Sequence, residues 1–318
     1  MADQDDEQVV PISDARELLS RKVKALQPGR PLILERHGIP VAGLVTVDDI
    51  KTLQAVKEQG MPSTSVIMAF NHAGGASKTS SVRDIGYELT QLGFRVLLMD
   101  LDPQANLSTW LGHMNAERDR TLITVLEDYA PLPAPVHVHG MDLIPSHIDL
   151  SETESRLPGY SNSEGRLREA VDTLRREGKY DFVLLDPPPS LGKLTANAAA
   201  CADYVIVPLP ARFKGINALA GVQKMLVNYT RLNPKLQVAF YLMTQVDATV
   251  HAQEVIEVYT KAFGDRLAGP IKWRPALYNK CQPEGKPIGV LDSKGEARQE
   301  VQRVVLKLLQ VVGKAVPA

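Results

Sequence analysis

From residue 65 onward the apolar positions follow two alternating rhythms. Short, near-continuous runs of Val, Ile, Leu and Met lie at 65–70, 95–100, 141–145, 182–186, 204–208 and 237–243. Between and after them, stretches near 78–92, 164–177, 191–202, 213–231, 251–264 and 296–312 space their apolar residues three and four apart. The first rhythm predicts strands buried on both faces, the second predicts helices. Their alternation predicts an α/β domain: a doubly wound, mostly parallel sheet covered on both sides, whose ligands sit at the carboxyl ends of the strands.

The chain ahead of residue 61 is patterned differently. Residues 1–8 are polar and acidic, and predict a loose tail. Ser13 or Asp14 can cap a helix, with Glu17 completing a capping box, and Ala15, Leu18, Leu19, Val23 and Leu26 form its apolar stripe. Runs at 32–36 and 39–45 flank His37-Gly38, which predicts a tight hairpin, and a second helix is predicted over 47–58. This small α+β unit has little core of its own, so it should dimerise or lean on a neighbour. Gln59-Gly60-Met61-Pro62-Ser63 is rich in helix and strand breakers, and the organisation expected is a module at 1–60 and a domain at 61–318.

Composition narrows the classes further. A 318-residue chain with 44% hydrophobic residues is neither disordered nor fibrous. Lys plus Arg number 36 against 37 Asp plus Glu, so contact with nucleic acid must come from a local patch. Cys201 and Cys281 stand too far apart in the chain for a disulfide framework or a metal cluster, and predict a reduced, cytoplasmic protein. No apolar run approaches the ~20 residues that span a bilayer, and no membrane partner is expected.

The densest chemistry follows the strand at 65–70, in Asn71-His-Ala-Gly74-Gly75-Ala76-Ser77-Lys78-Thr79-Ser80. A turn opening into a helix offers backbone N–H donors and a positive dipole end to phosphate oxygens. Gly74 and Gly75 allow close approach, Lys78 would reach β- and γ-phosphates, and Thr79 would ligate Mg²⁺. The strict pattern G-x-x-x-x-G-K-[ST] fails twice, at His72 and Ser77. Asp100 and Asp102 end one buried strand and Asp186 ends another. Acids at such places serve a phosphate-bound Mg²⁺ directly or through water.

These segments fall in order with Leu143-Ile-Pro-Ser-His-Ile-Asp-Leu150, Asp186-Pro-Pro-Pro-Ser-Leu-Gly192, Ala202-Asp-Tyr-Val-Ile-Val-Pro-Leu209 and Gly285-Lys-Pro-Ile288. Over residues 64–312 the chain resembles the ParA/Soj/MinD group of deviant Walker A P-loop NTPases, specifically its ParA branch. The resemblance implies an ATPase with a slow basal rate that forms a homodimer around ATP and Mg²⁺. In that state it would bind DNA nonspecifically, associated with the nucleoid, until a ParB-like centromere-binding or adaptor protein stimulates hydrolysis. It assigns Gly74, Gly75, Ala76, Ser77, Lys78, Thr79 and Ser80 to nucleotide binding. Lys78 and Asp102 become catalytic, Asp102 by orienting the attacking water, and Thr79, Asp186 and Asp100 become the metal set.

The chain departs from the group at Ala73, where its members carry a second lysine that reaches the partner's nucleotide. Lys214, then Lys193, are the candidates to replace that cation. If the backbone at residue 77 needs a positive φ, serine is disfavoured there. Arg274 and Lys280, near the last predicted strand and turn, fall where the group places nonspecific DNA contacts, although Leu277 stands where many members have arginine. Some members that position protein-shelled cargo also lack the lysine, which keeps a protein cargo open.

Residues 9–52 resemble the amino-terminal domain of Phd/YefM antitoxins, through Val10-Pro-Ile-Ser-Asp-Ala-Arg16-Glu-Leu-Leu19 and Pro31-Leu-Ile-Leu-Glu-Arg36-His-Gly-Ile-Pro-Val-Ala-Gly-Leu-Val45. That resemblance implies a dimerising module that binds operator DNA, with Arg16 and Arg36 as candidate contacts. Past the first seven residues it holds eight basic and six acidic residues up to Gly60. His137 and His139 lack the neighbours that would complete a metal site. The apolar stripe Val301, Val304, Val305, Leu308, Leu309 and Val312 predicts a helix packed on its own sheet, with a membrane-surface helix as the rival reading. Two functional classes remain: an ATP-driven segregation or positioning protein, and a transcriptional repressor whose nucleotide domain senses ATP without appreciable hydrolysis.

Overall fold

The computed structural model describes residues 8–11, 32–36, 39–48 and 64–317. The chain divides into two compact units, Met1–Pro62 and Ser63–Ala318. In the first, β1 (Gln8–Pro11), β2 (Leu32–Arg36) and β3 (Ile39–Leu44) form a three-stranded sheet in that order. β2 and β3 pair antiparallel with Arg36 opposite Ile39, the hairpin that the polar break at 37–38 predicted. β1 runs parallel to β2, a pairing with no periodic signal in so short a segment. The predicted helix over 13–26 with Arg16, the greater part of the helix over 47–58, the linker at 59–63 and the Arg36 side chain lie outside what is described.

The second unit holds an eight-stranded sheet, built from β4 (Ser65–Ala69), β5 (Val96–Asp100), β6 (Val136–Val138), β7 (Met141–Ile144), β8 (Phe182–Asp186), β9 (Tyr204–Pro210), β10 (Gln237–Thr244) and β11 (Leu267–Ala268). Their order is β11-β10-β9-β4-β8-β5-β7-β6, and only β6 runs antiparallel. Every residue of β4, β5 and β8 is buried. Successive side chains point to opposite faces, so Val66 and Met68 join one apolar core while Ile67 and Ala69 join the other.

Two sets of helices close those cores. On one face lie α5 (Arg166–Glu177), α6 (Lys193–Cys201), α7 (Phe213–Leu232) and α8 (Val250–Phe263), which contribute Val171, Ala198, Val222 and Val255. On the other lie α1 (Lys78–Gln91) and α11 (Glu296–Val312), which contribute Ile85, Leu89, Val304 and Leu308. The apolar stripe of α11 is thus consumed within the fold. Among the described residues no helix is long and apolar enough to cross a membrane.

Shorter elements went unanticipated: α2 (Asn106–Trp110), α3 (Ile123–Asp128), α4 (Leu150–Arg156), α9 (Pro275–Glu284) and α10 (Ile288–Leu291). The segment read as strand and turn around Arg274 and Lys280 is α9, with Arg274 at its amino-terminal cap and Lys280 inside it. Pro275 starts this helix, where a missing N–H costs nothing, and Gly285 ends it in the left-handed region at φ 61°. β5 lies beyond β8 from β4, and β9 lies on the opposite side. The winding therefore reverses beside β4, and a crevice opens at the carboxyl ends of β4, β8 and β5.

Candidate functional site

The loop from Asn71 to Ser77 fills that crevice. Its start is pinned by the buried Asn71, whose Nδ2 donates to the Pro208 carbonyl at 2.7 Å while its Oδ1 accepts from the Ala73 amide at 2.9 Å. Gly74 and Gly75 are exposed, and Gly75 takes φ +73°. Ser77 caps α1 in the left-handed region at φ 69°, ψ 25°. The position demands positive φ after all, at about 1–2 kcal/mol for a residue with a Cβ. Its carbonyl accepts from the Ser81 amide at 3.0 Å and the Ser81 hydroxyl at 2.6 Å. No side chain caps the amino end of α1 and no acidic residue lies in its first turn. Its leading N–H groups are left for an anion, at the positive end of a 14-residue helix.

Behind the loop four ionisable groups are packed together. Lys78 is 7% exposed; burial lowers its pKa, against the pull of Asp186 and Asp102. Asp100 and Asp186 are direct cross-strand neighbours on β5 and β8. Asp100 accepts from the Ser108 amide at 2.9 Å, the Ser108 hydroxyl at 2.7 Å and the Asp102 amide at 3.1 Å. Burial raises its pKa to about 7 in spite of those donors. Asp102 accepts from the Gln104 amide at 2.9 Å, and its carbonyl accepts from the Ser146 hydroxyl at 2.6 Å.

Asp186 differs from both. It is fully buried, yet neither carboxylate oxygen has a hydrogen-bond partner. Burial and then Asp100 push its pKa well up, while Lys78 and the Thr79 hydroxyl act against the rise. A buried carboxylate that no donor, the Thr79 hydroxyl included, meets in hydrogen-bond geometry is a costly arrangement that a cation would relieve. Among the described residues no group of three His, Cys, Asp or Glu could hold a metal by itself. An ion here must complete its shell from hydroxyl, water and phosphate oxygens, as Mg²⁺ does. Asp100, also in the metal set read from the sequence, differs from Asp186 in that both its oxygens accept hydrogen bonds, from Ser108 and the Asp102 amide.

The structure thus brings Gly74, Gly75, Ala76, Ser77, Lys78, Thr79 and Ser80 together with Asp100, Asp102 and Asp186. Lys193 is ion-paired to Glu164 at 2.6 Å. Lys214 lies in the first turn of α7, with its side chain outside what is described. Arg274 binds the buried Glu300 through both terminal nitrogens, at 2.7 and 2.9 Å, whereas Lys280 is exposed. His137 faces Asp142 across the β6–β7 hairpin at 3.0 Å, and His139 lies in its turn against the Gly285 carbonyl at 2.8 Å.

Two contributors escaped the sequence reading. Ser108, on the short α2, holds Asp100; no motif marks it. Gln245, just past β10, donates from Nε2 to the Gly75 carbonyl at 2.5 Å and the Ser77 hydroxyl at 3.0 Å. Its place beyond a predicted strand's carboxyl end was the available signal. A cavity of about 300 Å³ opens beside the loop, lined by Ser77, Ser80, Gln245, Trp273 and Tyr278 among others.

Residues 64–240 match a family model described as an AAA domain. The chain is 37% identical over 254 residues to a probable plasmid-partitioning protein ParA of Thermus thermophilus, covering 76% of this chain and 77% of that protein. It is 30% identical to the sporulation initiation inhibitor protein Soj of Bacillus subtilis, over 74% of this chain and 94% of that one. In structure it is similar to cobyrinic acid a,c-diamide synthase from Mycobacterium smegmatis, solved with an ATP analogue and magnesium, at TM-score 0.67 and 30% identity over 80% of this chain and 99% of the other.

Proposed function

The chain belongs to the ParA/Soj family of partition ATPases, and from that membership we propose that it segregates DNA through an ATP-driven cycle. It binds ATP with Mg²⁺ at the loop, dimerises in that state and engages DNA nonspecifically. A ParB-like centromere-binding or adaptor protein then stimulates hydrolysis and releases it. The observation that carries this reading is Asp186, buried beside Lys78 with both oxygens unpartnered.

The amides of residues 74–78 and the Lys78 ammonium hold the triphosphate. Thr79 and Asp186 hold the metal, which when bound offsets phosphate charge. Asp102 orients the attacking water. Asp100, locked by Ser108, fixes the strand end from which Asp102 projects. Such a site works by positioning and charge stabilisation, so basal turnover is slow.

Phosphate release from Mg-ATP, with DNA and the cognate partner present, tests the cycle. Asp102→Ala should keep nucleotide affinity and lose about 100-fold or more in turnover. Undiminished turnover would remove the role given to Asp102. Nucleotide binding without hydrolysis, joined to tight operator binding, would instead establish the repressor reading, which Ala73 and the strained Ser77 favour. A protein cargo would show as a stimulating partner that is not a DNA-binding protein.

Lys214 is the proposed trans-acting cation. Lys214→Ala should weaken ATP-dependent dimerisation in sedimentation, and an unchanged dimer would exclude it. The front module is proposed as a Phd/YefM-like dimerising and operator-binding unit acting through Arg16 and Arg36. The assembled protein is expected in the cytoplasm, on the nucleoid.

A further inference from the structure

We propose that Gln245 is a positioning residue, a latch that holds the phosphate loop in shape and makes serine workable at residue 77, where a glycine would need no help. The proposal rests on the reading of this loop as the ATP site. A peptide carbonyl only accepts hydrogen bonds, so the contact with the Gly75 oxygen fixes which end of the Gln245 amide faces the loop. Nε2 carries two hydrogens, and one is directed to Gly75 and the other to Ser77. These residues flank the buried Ala76 and both have left-handed backbone, at φ 73° and 69°. One amide therefore ties together the two left-handed residues of the turn.

The arm that carries this amide is itself fixed. Thr244, just before it, ends β10, and its carbonyl accepts from the Ala211 amide at 2.8 Å. The Val246 amide, just after it, donates to Ile271 at 3.1 Å, and the Val246 carbonyl accepts from the Trp273 amide at 2.7 Å. Gln245 sits between these anchors at φ 53°, in the left-handed region as well. Such a conformation persists where its surroundings over-determine it. Here they aim the side chain at the loop. Ser77 adds a hydroxyl that accepts the second hydrogen, a contact a glycine could not make. The departure at residue 77 and the glutamine at 245 form one unit across 168 positions of sequence.

A double-mutant cycle on the full chain, read as Mg-ATP affinity by calorimetry, tests this. Gln245→Ala is expected to weaken binding about tenfold with Ser77 in place, and less than about threefold in a Ser77→Gly background. Gln245→Met, which keeps length without donors, should behave like the alanine variant. Gln245→Glu, which sets an oxygen against the Gly75 carbonyl, should lose at least as much. Nucleotide-free melting midpoints for each variant separate loop positioning from loss of fold. Equal losses in both backgrounds, or none in either, overturn the latch while leaving the ATP site standing. No binding by the unaltered chain overturns the ATP reading, and the latch with it.

Discussion

Asp186 and Asp102 both act on the single ammonium of Lys78, and Asp186, whose buried oxygens no donor meets in hydrogen-bond geometry, sets the behaviour of the free protein. Its folded pKa is raised, so above the unfolded carboxylate range near ~4 the native state holds more protons than the unfolded chain. Stability of the nucleotide-free protein should therefore fall as pH rises through that window, which for neighbouring Asp100 extends to about 7. Asp186→Asn should flatten this slope and raise the melting midpoint at pH 8 by the equivalent of about 1 kcal/mol or more. It should also abolish Mg-dependent turnover; calorimetry across pH and a phosphate-release assay check the pair of outcomes. Ser108→Ala should cost about 1–3 kcal/mol in denaturant unfolding, because it strips a donor from Asp100 and an acceptor from the Ser146 amide. Lys78 was legible from the glycine-containing loop before it, and Asp100, Asp102 and Asp186 because an acid at a buried strand's end needs a reason. Which carboxylate lacks partners was not, since that depends on donors arriving from α2 and the β5–α2 loop.

The helix that leaves the phosphate loop is fastened along its length. Glu88 of α1 is buried and accepts from Arg298 Nε at 2.8 Å and Gln302 Nε2 at 3.1 Å, both on α11. One turn earlier, Asp84 pairs with Arg83 and accepts from the Ile288 amide at 2.9 Å. Glu88→Ala should therefore lower stability by about 1–3 kcal/mol in denaturant unfolding. The same α11 holds Arg274 through Glu300, so the two basic residues expected to meet DNA are unequal. Lys280→Ala should reduce the salt dependence of DNA binding by about one unit of slope in a salt titration, because one phosphate fewer is neutralised. Arg274→Ala should mainly lower the melting midpoint. Long elements of both kinds were readable from apolar spacing. The short α2, α3, α4 and α10 carry too few residues for a period to register, and the prolines at 275 and 283 disguised α9 as a turn.

On the scale of the whole chain, the sheet of the second unit is covered on both faces by helices from that unit. A chain beginning at Ser63 should fold and keep its affinity for Mg-ATP, and should lose any operator footprint; calorimetry and DNase protection measure the two. Alternation along the sequence pointed to a parallel sheet but not to the order of its strands. That order follows from which crossover skips a neighbour, which no local pattern encodes. The borders of this sheet are short: three residues running antiparallel on one side, Val136–Val138, and two on the other, Leu267–Ala268. Leu267–Ala268 pairs with only Tyr241 and Leu242 of the eight-residue β10, so among the described residues 237–240 have no strand partner on that side and are the peptide groups an incoming strand could continue. Copies crowded together can meet through side chains at the Val136–Val138 border and part again, whereas the early half of β10 is the stretch at which they could zip into a fibril.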